Sequence, residues 1–180
     1  MPTDVAGDAC VVINLVATGR SVEILAANDY RLLVPPAVAD ELGYLDIVGS
    51  EPLERELIDL APLVNASSAL VVDLVSEELE QFVIFARDVD DGEAAALAVA
   101  HRRGLRIATD DRKAQRVASQ AEPSIGIIRT SELLRTWSKS VEPAEVSEVL
   151  RAIRDRAHYI PRTSDPNYTW WIVLLGDPSS

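Results

Sequence analysis

Residues 90–118 read DDGEAAALAVAHRRGLRIATDDRKAQRVA, and this stretch decides the architecture. Asp90 and Glu93 stand at capping-box spacing before an alanine-rich run, which predicts a helix ending near Gly104. Residues 105–109 form a short β-prone run, and Arg112 opens a further helix to residue 118. The same alternation extends outward. Residues 32–34 predict a strand stopped by Pro35-Pro36, then a helix over 37–45 that contains Glu41. Residues 70–74 predict a strand, with Ser76 capping a helix to Arg87, and residues 124–128 a strand before a helix over 131–137. Two short helices, over 9–18 and 21–28, open the chain. Strands alternating with helices imply an α/β fold: a parallel sheet covered on both faces, three layers in all. Residues 1–140 are expected to form that domain. Residues 141–180 are expected to be a helical extension packed on it, with helices over 143–157 and 168–175 separated by a loop over 159–167.

A chain of 180 residues fits one domain. Hydrophobic residues at 48% and charged residues at 26% are ordinary globular usage. No leader-like or membrane-spanning apolar run is visible, so a cytoplasmic protein without a membrane partner is expected. The single cysteine, Cys10, cannot form an internal disulfide and reads as a small core residue. The net charge of −12 argues against a general phosphate-neutralising surface. Acids can still act on a phosphodiester if divalent cations reverse the local field and a few arginines contact the strand. No glycine-rich phosphate loop occurs, and neither His101 nor His158 has a nucleophile context.

The location of the acids therefore matters. Asp8, Glu41 and the pair Asp110-Asp111 fall near strand ends and helix starts, and Glu93 lies in a first helical turn. In open α/β sheets this is the edge where ligands bind. Asp8, Asp111, Asp90 and Glu93 are equally explicable as helix caps. Capping accounts for neither Glu41 nor the doubled aspartate.

Four segments together carry a resemblance: Asp8-Ala9-Cys10-Val11-Val12-Ile13-Asn14-Leu15, Val34-Pro35-Pro36-Ala37-Val38-Ala39-Asp40-Glu41-Leu42, Asp91-Gly92-Glu93-Ala94-Ala95-Ala96-Leu97-Ala98 and Ala108-Thr109-Asp110-Asp111-Arg112-Lys113-Ala114. In order and spacing they resemble the successive motifs of PIN-domain nucleases, over about residues 4–140. The resemblance implies a PIN-like α/β/α fold with a parallel sheet, and many such proteins are ribonuclease toxins of toxin–antitoxin pairs. It implies that Asp8, Glu41, Glu93 and Asp111 are the catalytic and metal-binding acids, with Asp110 a further ligand or a supporting neighbour. Crowded carboxylates and hard oxygen ligands suit Mg²⁺ or Mn²⁺. The implied activity is metal-dependent endoribonuclease cleavage, with RNA as substrate, and an antitoxin protein and a second copy as possible partners.

One departure stands out: Cys10 occupies a position where many relatives carry a small hydroxyl or amide residue, which puts a hydrogen bond from that position in question. Asn14 is a possible substitute. Arg112, Lys113 and Arg116 follow the last acidic motif and are the candidate phosphate contacts, or else a solvated helix face. Trp137, Trp170 and Trp171 read as packing anchors. Two competing classes are a catalytically silent PIN-like scaffold and a phospho-receiver module, although Lys113 and Lys139 fit the lysine of a receiver poorly.

Overall fold

The computed structural model describes residues 1–176. Its elements run β1 (Thr3–Gly7), α1 (Ala9–Ala17), α2 (Ser21–Ala27), β2 (Tyr30–Val34), α3 (Pro36–Asp40), β3 (Tyr44–Asp46), β4 (Arg55–Leu57), α4 (Ala61–Asn65) and β5 (Ala69–Val71). Then follow α5 (Ser76–Phe85), α6 (Asp91–Arg103), β6 (Arg106–Ala108), α7 (Arg112–Gln120), β7 (Ile127–Ile128), α8 (Thr130–Trp137), a 3₁₀ turn (Ser138–Ser140), α9 (Pro143–Ala157) and α10 (Tyr168–Leu175).

A five-stranded sheet in the order β5-β2-β1-β6-β7, with every pairing parallel, forms the middle layer. The three-layer α/β/α expectation holds. Counting parallel strands alone, the order is 3-2-1-4-5, so the chain reverses direction across the sheet between β1 and β6. Ligands of open α/β sheets bind at such a switch point, beyond the carboxyl ends of the strands. A receiver-type module has the order 2-1-3-4-5. The observed order sets that competing class aside.

β1 is the central strand, and the sequence reading missed it by opening the chain with helices. Thr3–Gly7 contains one β-branched apolar residue, Val5, so its propensity is weak. Pairing on both sides creates the strand instead: Ala6 lies opposite Leu33 on β2 and Ile107 on β6, and Val5 and Ala6 are fully buried. The segment over 37–45 also differs from expectation. Pro36 pre-organises the first turn of α3, but the helix stops at Asp40, with Glu41 in the capping position after it. Gly43, at φ +61°, turns the chain into β3, which pairs antiparallel with β4 in a hairpin the sequence did not suggest. Val75, not Ser76, precedes α5, and its backbone N–H donates to the Glu78 carboxylate at 2.9 Å.

α6 runs along the sheet between α3 and α5. Ala94 through Ala100 are buried, and the alanines among them let the helix approach β1 and β6 closely. Its left-handed terminator Gly104 has φ +66°. α9 packs on α1, and α10 packs on α9. Trp137 and Trp171 are buried anchors, while Trp170 lies under the Arg135 guanidinium at 4.9 Å. Among the described residues, no single helix is long and apolar enough to cross a membrane.

Candidate active site

The carboxyl ends of β1 and β6 are stitched together by the Asp8 N–H, which donates to the Ala108 carbonyl at 3.0 Å. Asp8 caps α1, and each of its carboxylate oxygens is engaged. Oδ1 accepts from the Ala9 N–H at 2.7 Å, and Oδ2 accepts from the Thr109 hydroxyl at 2.6 Å and the Cys10 thiol at 3.1 Å. Burial raises the Asp8 pKa above its usual value, these three donors work against the rise, and Asp90 adds to it. Thr109, fully buried, also accepts from the Asp111 N–H at 3.1 Å, so one hydroxyl orients the acids of both strands.

Cys10 makes the contact that the sequence had put in question. Its sulfur donates to Asp8 and accepts from the Asp110 N–H at 3.2 Å, across the same switch point. Burial, then the charges of Asp8 and Asp110, push the thiol well above its usual pKa. It is a protonated donor, as that role requires.

Glu41 and Glu93 approach from the other side. The Gly92 N–H, in the first turn of α6, donates to Glu41 Oε1 at 2.9 Å. A Cβ on Gly92 would collide with that carboxylate, so the residue between Asp91 and Glu93 must be glycine for Glu41 to sit there. Burial, then Asp90, Asp8 and Asp91, raise the Glu41 pKa against the lowering effect of the Gly92 bond. Glu93 is pushed from 4.5 up to about 8, first by burial, then by Asp111, Asp90 and Asp8, and by a hydrogen bond shared with Asp111. The charges acting most strongly on it are all carboxylates. Asp111 caps α7, with Oδ1 accepting from the N–H groups of Lys113 at 2.6 Å and Ala114 at 3.1 Å. Asp90, read from sequence only as a cap, does cap α6 by accepting from the Glu93 N–H at 2.9 Å. It also acts on Asp8, Glu41 and Glu93 and so belongs to the cluster.

Asp110 faces elsewhere. Its carboxylate accepts from the Thr130 hydroxyl at 2.5 Å, the Thr130 N–H at 3.1 Å, the Asn14 amide at 3.1 Å and the Tyr159 hydroxyl. Asn14 thus serves Asp110 rather than Asp8. Burial raises the Asp110 pKa, and these donors oppose the rise. Tyr159 comes from the segment after α9, which is further pinned by His158 on Asp46 at 2.6 Å and by Asp165 accepting from the Ser131 hydroxyl at 2.8 Å. Sequence reasoning treated this segment as a connector and missed Tyr159, Thr130 and Asp165. Of the cationic candidates, Arg112 lines the groove beside Asp110 and Asp111, whereas exposed Lys113 and Arg116 do not line it.

Among the described residues, no three acidic, histidine or cysteine side chains form a ready-made metal cage. Asp8, Glu41 and Asp111 each turn an oxygen toward a helix N-terminus instead. The donor set nevertheless fits a divalent cation. Its ligands are hard oxygens, its unrelieved negative charge is registered by Glu93, and Mg²⁺ needs only one or two carboxylates with water completing its shell. Asp8, Glu93 and Asp111, with Glu41 beside them, are the residues that would hold it.

A parallel sheet in this order, with acids from both sides of its switch point, defines an α/β protein that gathers carboxylates beyond the carboxyl ends of its strands. The sequence pattern of the PIN-domain family matches residues 4–164. The chain belongs to that family, and its fold is of the nuclease type. Neither a curated protein nor a solved structure matches the chain.

Proposed function

We propose that the protein is a divalent-metal-dependent endoribonuclease that hydrolyses RNA phosphodiester bonds with Mg²⁺ or Mn²⁺. The observation that carries this reading is the setting of Glu93 at the switch point of the sheet: a carboxylate raised to about 8, first by burial and then by the charges of Asp111, Asp90 and Asp8. Ordinary helix capping does not require such crowding, and a bound cation relieves it. When present, the ion supplies Lewis-acid stabilisation of the phosphate and an activated water. Asp8 is held for this work by Thr109 and Cys10, so its oxygens present one fixed geometry. Glu41 is seated by the α6 N-terminus, and Asp111 is positioned by the first turn of α7. Asp110 does not face the reaction; it anchors α8 and the segment after α9 against the site.

RNA cleavage in Mg²⁺ or Mn²⁺ tests the proposal, with loss in chelator and in Asp8→Asn or Glu93→Gln protein as the expected result. Cleavage indifferent to all three would contradict it. A second reading, a silent scaffold, is favoured by the turning of three acids onto helix N-termini. Absence of Mg²⁺ and Mn²⁺ binding would select it. We further propose that the enzyme works in the cytoplasm as the toxin of a toxin–antitoxin pair, as a homodimer, restrained by an antitoxin whose basic segment occupies the acidic cleft. The net charge of −12 supports such a partner. Growth arrest on expression, relieved by the product of a neighbouring gene, is the expected outcome.

A further inference from the structure

Beside the acid cluster, on the side of Asp110 and Asp111, lies a groove of about 400 Å³. One wall is the start of α7 and α8. The other is the segment from His158 to Asp165 that follows α9. Three arginines reach it from three separate parts of the chain: Arg112 from the first turn of α7, Arg129 from just before α8, and Arg162 from the far wall. In a chain with a net charge of −12 this convergence is notable for how little the fold itself uses it. Among the described residues, no hydrogen bond or ion pair holds the guanidinium of Arg112 or Arg162. Arg129 stands 4.0 Å from both Glu132 and Asp165, beyond hydrogen-bond distance, so its donors are oriented but not consumed.

Helix energetics give Arg112 no reason to be where it is. The first turn of a helix favours anions, and that of α7 carries no acid, only Arg112 and Lys113 after the capping Asp111. Two of the three acids lining the groove, Asp110 and Asp165, are meanwhile engaged within the fold. Asp110 accepts from Thr130, Asn14 and Tyr159, and Asp165 accepts from Ser131 and from the Asn167 N–H at 2.8 Å. The unpaired guanidinium groups of Arg112 and Arg162, with Arg129 held beside them by ion pairs at 4.0 Å, make a track for phosphate oxygens, which guanidinium groups bind in bidentate fashion.

We infer that Arg112, Arg129 and Arg162 clamp the backbone phosphates of a single RNA strand that runs through this groove and delivers its scissile bond to the carboxylate cluster. The inference rests on the ribonuclease reading for the identity of the strand. It makes the segment after α9 part of the substrate site. The clamp reads phosphates rather than bases, and so fixes position without sequence preference.

Fluorescence anisotropy with a labelled single-stranded RNA, in chelator so that nothing is cut, tests the clamp. Arg162→Ala and Arg112→Ala are each expected to weaken binding roughly fivefold. Together they should flatten the slope of log affinity against log salt by about 1.4, from about 0.7 per lost phosphate contact. Arg20→Ala, at the far end of α1 and paired with Glu23, should bind like wild type. Unchanged affinity and slope in the groove variants, an equal loss in Arg20→Ala, or no RNA binding by wild type would overturn the inference. Cleavage in Mn²⁺ separates it from the reading it rests on. Arginine-dependent binding without any cleavage refutes the nuclease and leaves the clamp, whereas cleavage with unchanged KM in the arginine variants refutes the clamp alone.

Discussion

Asp110 and Glu93 are both partly buried carboxylates at the same end of the sheet, and the fold treats them in opposite ways. Asp110 is surrounded by donors from α1, α8 and the segment after α9. Glu93 is surrounded by acids. A carboxylate whose charge is met by hydrogen bonds is part of the scaffold; one buried among other acids holds a proton at neutral pH and, on the proposed reading, gives it up to a cation. The two halves of the cluster therefore separate structure from chemistry within a few residues.

The largest expected effect falls on the chemical half. Glu93→Gln should lower metal-dependent RNA cleavage by on the order of a hundredfold or more while leaving the metal-free protein at least as stable as wild type at neutral pH, since a neutral amide needs no proton taken up on folding. A cleavage assay beside a thermal melt checks both parts. Asp110→Ala should do the reverse to stability. The donors of Thr130, Asn14 and Tyr159 would lose their acceptor, at a cost of about 2–3 kcal/mol measured by urea unfolding. If both variants destabilise alike, the contrast is wrong.

Gly92→Ala sharpens the comparison from the backbone side. The added methyl displaces Glu41 from the α6 N-terminus, so cleavage should fall about tenfold with little change in melting temperature, alanine being the better helix former. Next comes pH. The Glu93 pKa is raised on folding, so the folded state holds a proton that the unfolded state has released between pH 4.5 and about 8. The stability this proton contributes is full below pH 4.5 and is lost as pH rises through about 8. Metal-free protein should therefore melt at falling temperatures across that window, with a flatter profile in Glu93→Gln. The smallest effect is expected for Cys10→Ser, whose hydroxyl can still donate to Asp8, with cleavage within about twofold of wild type.

Much of the layout is legible in the chain because α6 and α7 carry aspartate caps and α6 a glycine stop, which leave β6 bracketed between them. β1 is not, since Thr3–Gly7 is made a strand by its two neighbours rather than by its own propensity. Glu41 reads as mid-helix because the apolar pattern continues through Leu42 and Leu45; Gly43, in a left-handed turn, is the stop signal, and Leu45 is buried from β3 instead. The acids illustrate a deeper limit. Asp8, Asp90 and Asp111 cap helices and also lie together, because helix N-termini converge at the switch point, so a capping role and a place in the acid cluster do not compete. The groove was out of reach for a different reason. Tyr159 and Arg162 sit in a proline-containing loop with no periodicity, far along the chain from Asp110 and Asp111, with which they line the groove.

The central claim, that these carboxylates form a divalent-cation site, is tested most directly by calorimetric titration of Mn²⁺ at pH 7 in buffers of different ionisation enthalpy. With Glu93 at about 8 before binding, the account predicts saturable heat accompanied by release of close to one proton, and no such release from Glu93→Gln protein. Absence of binding heat, or binding with no proton released by wild type, would contradict it.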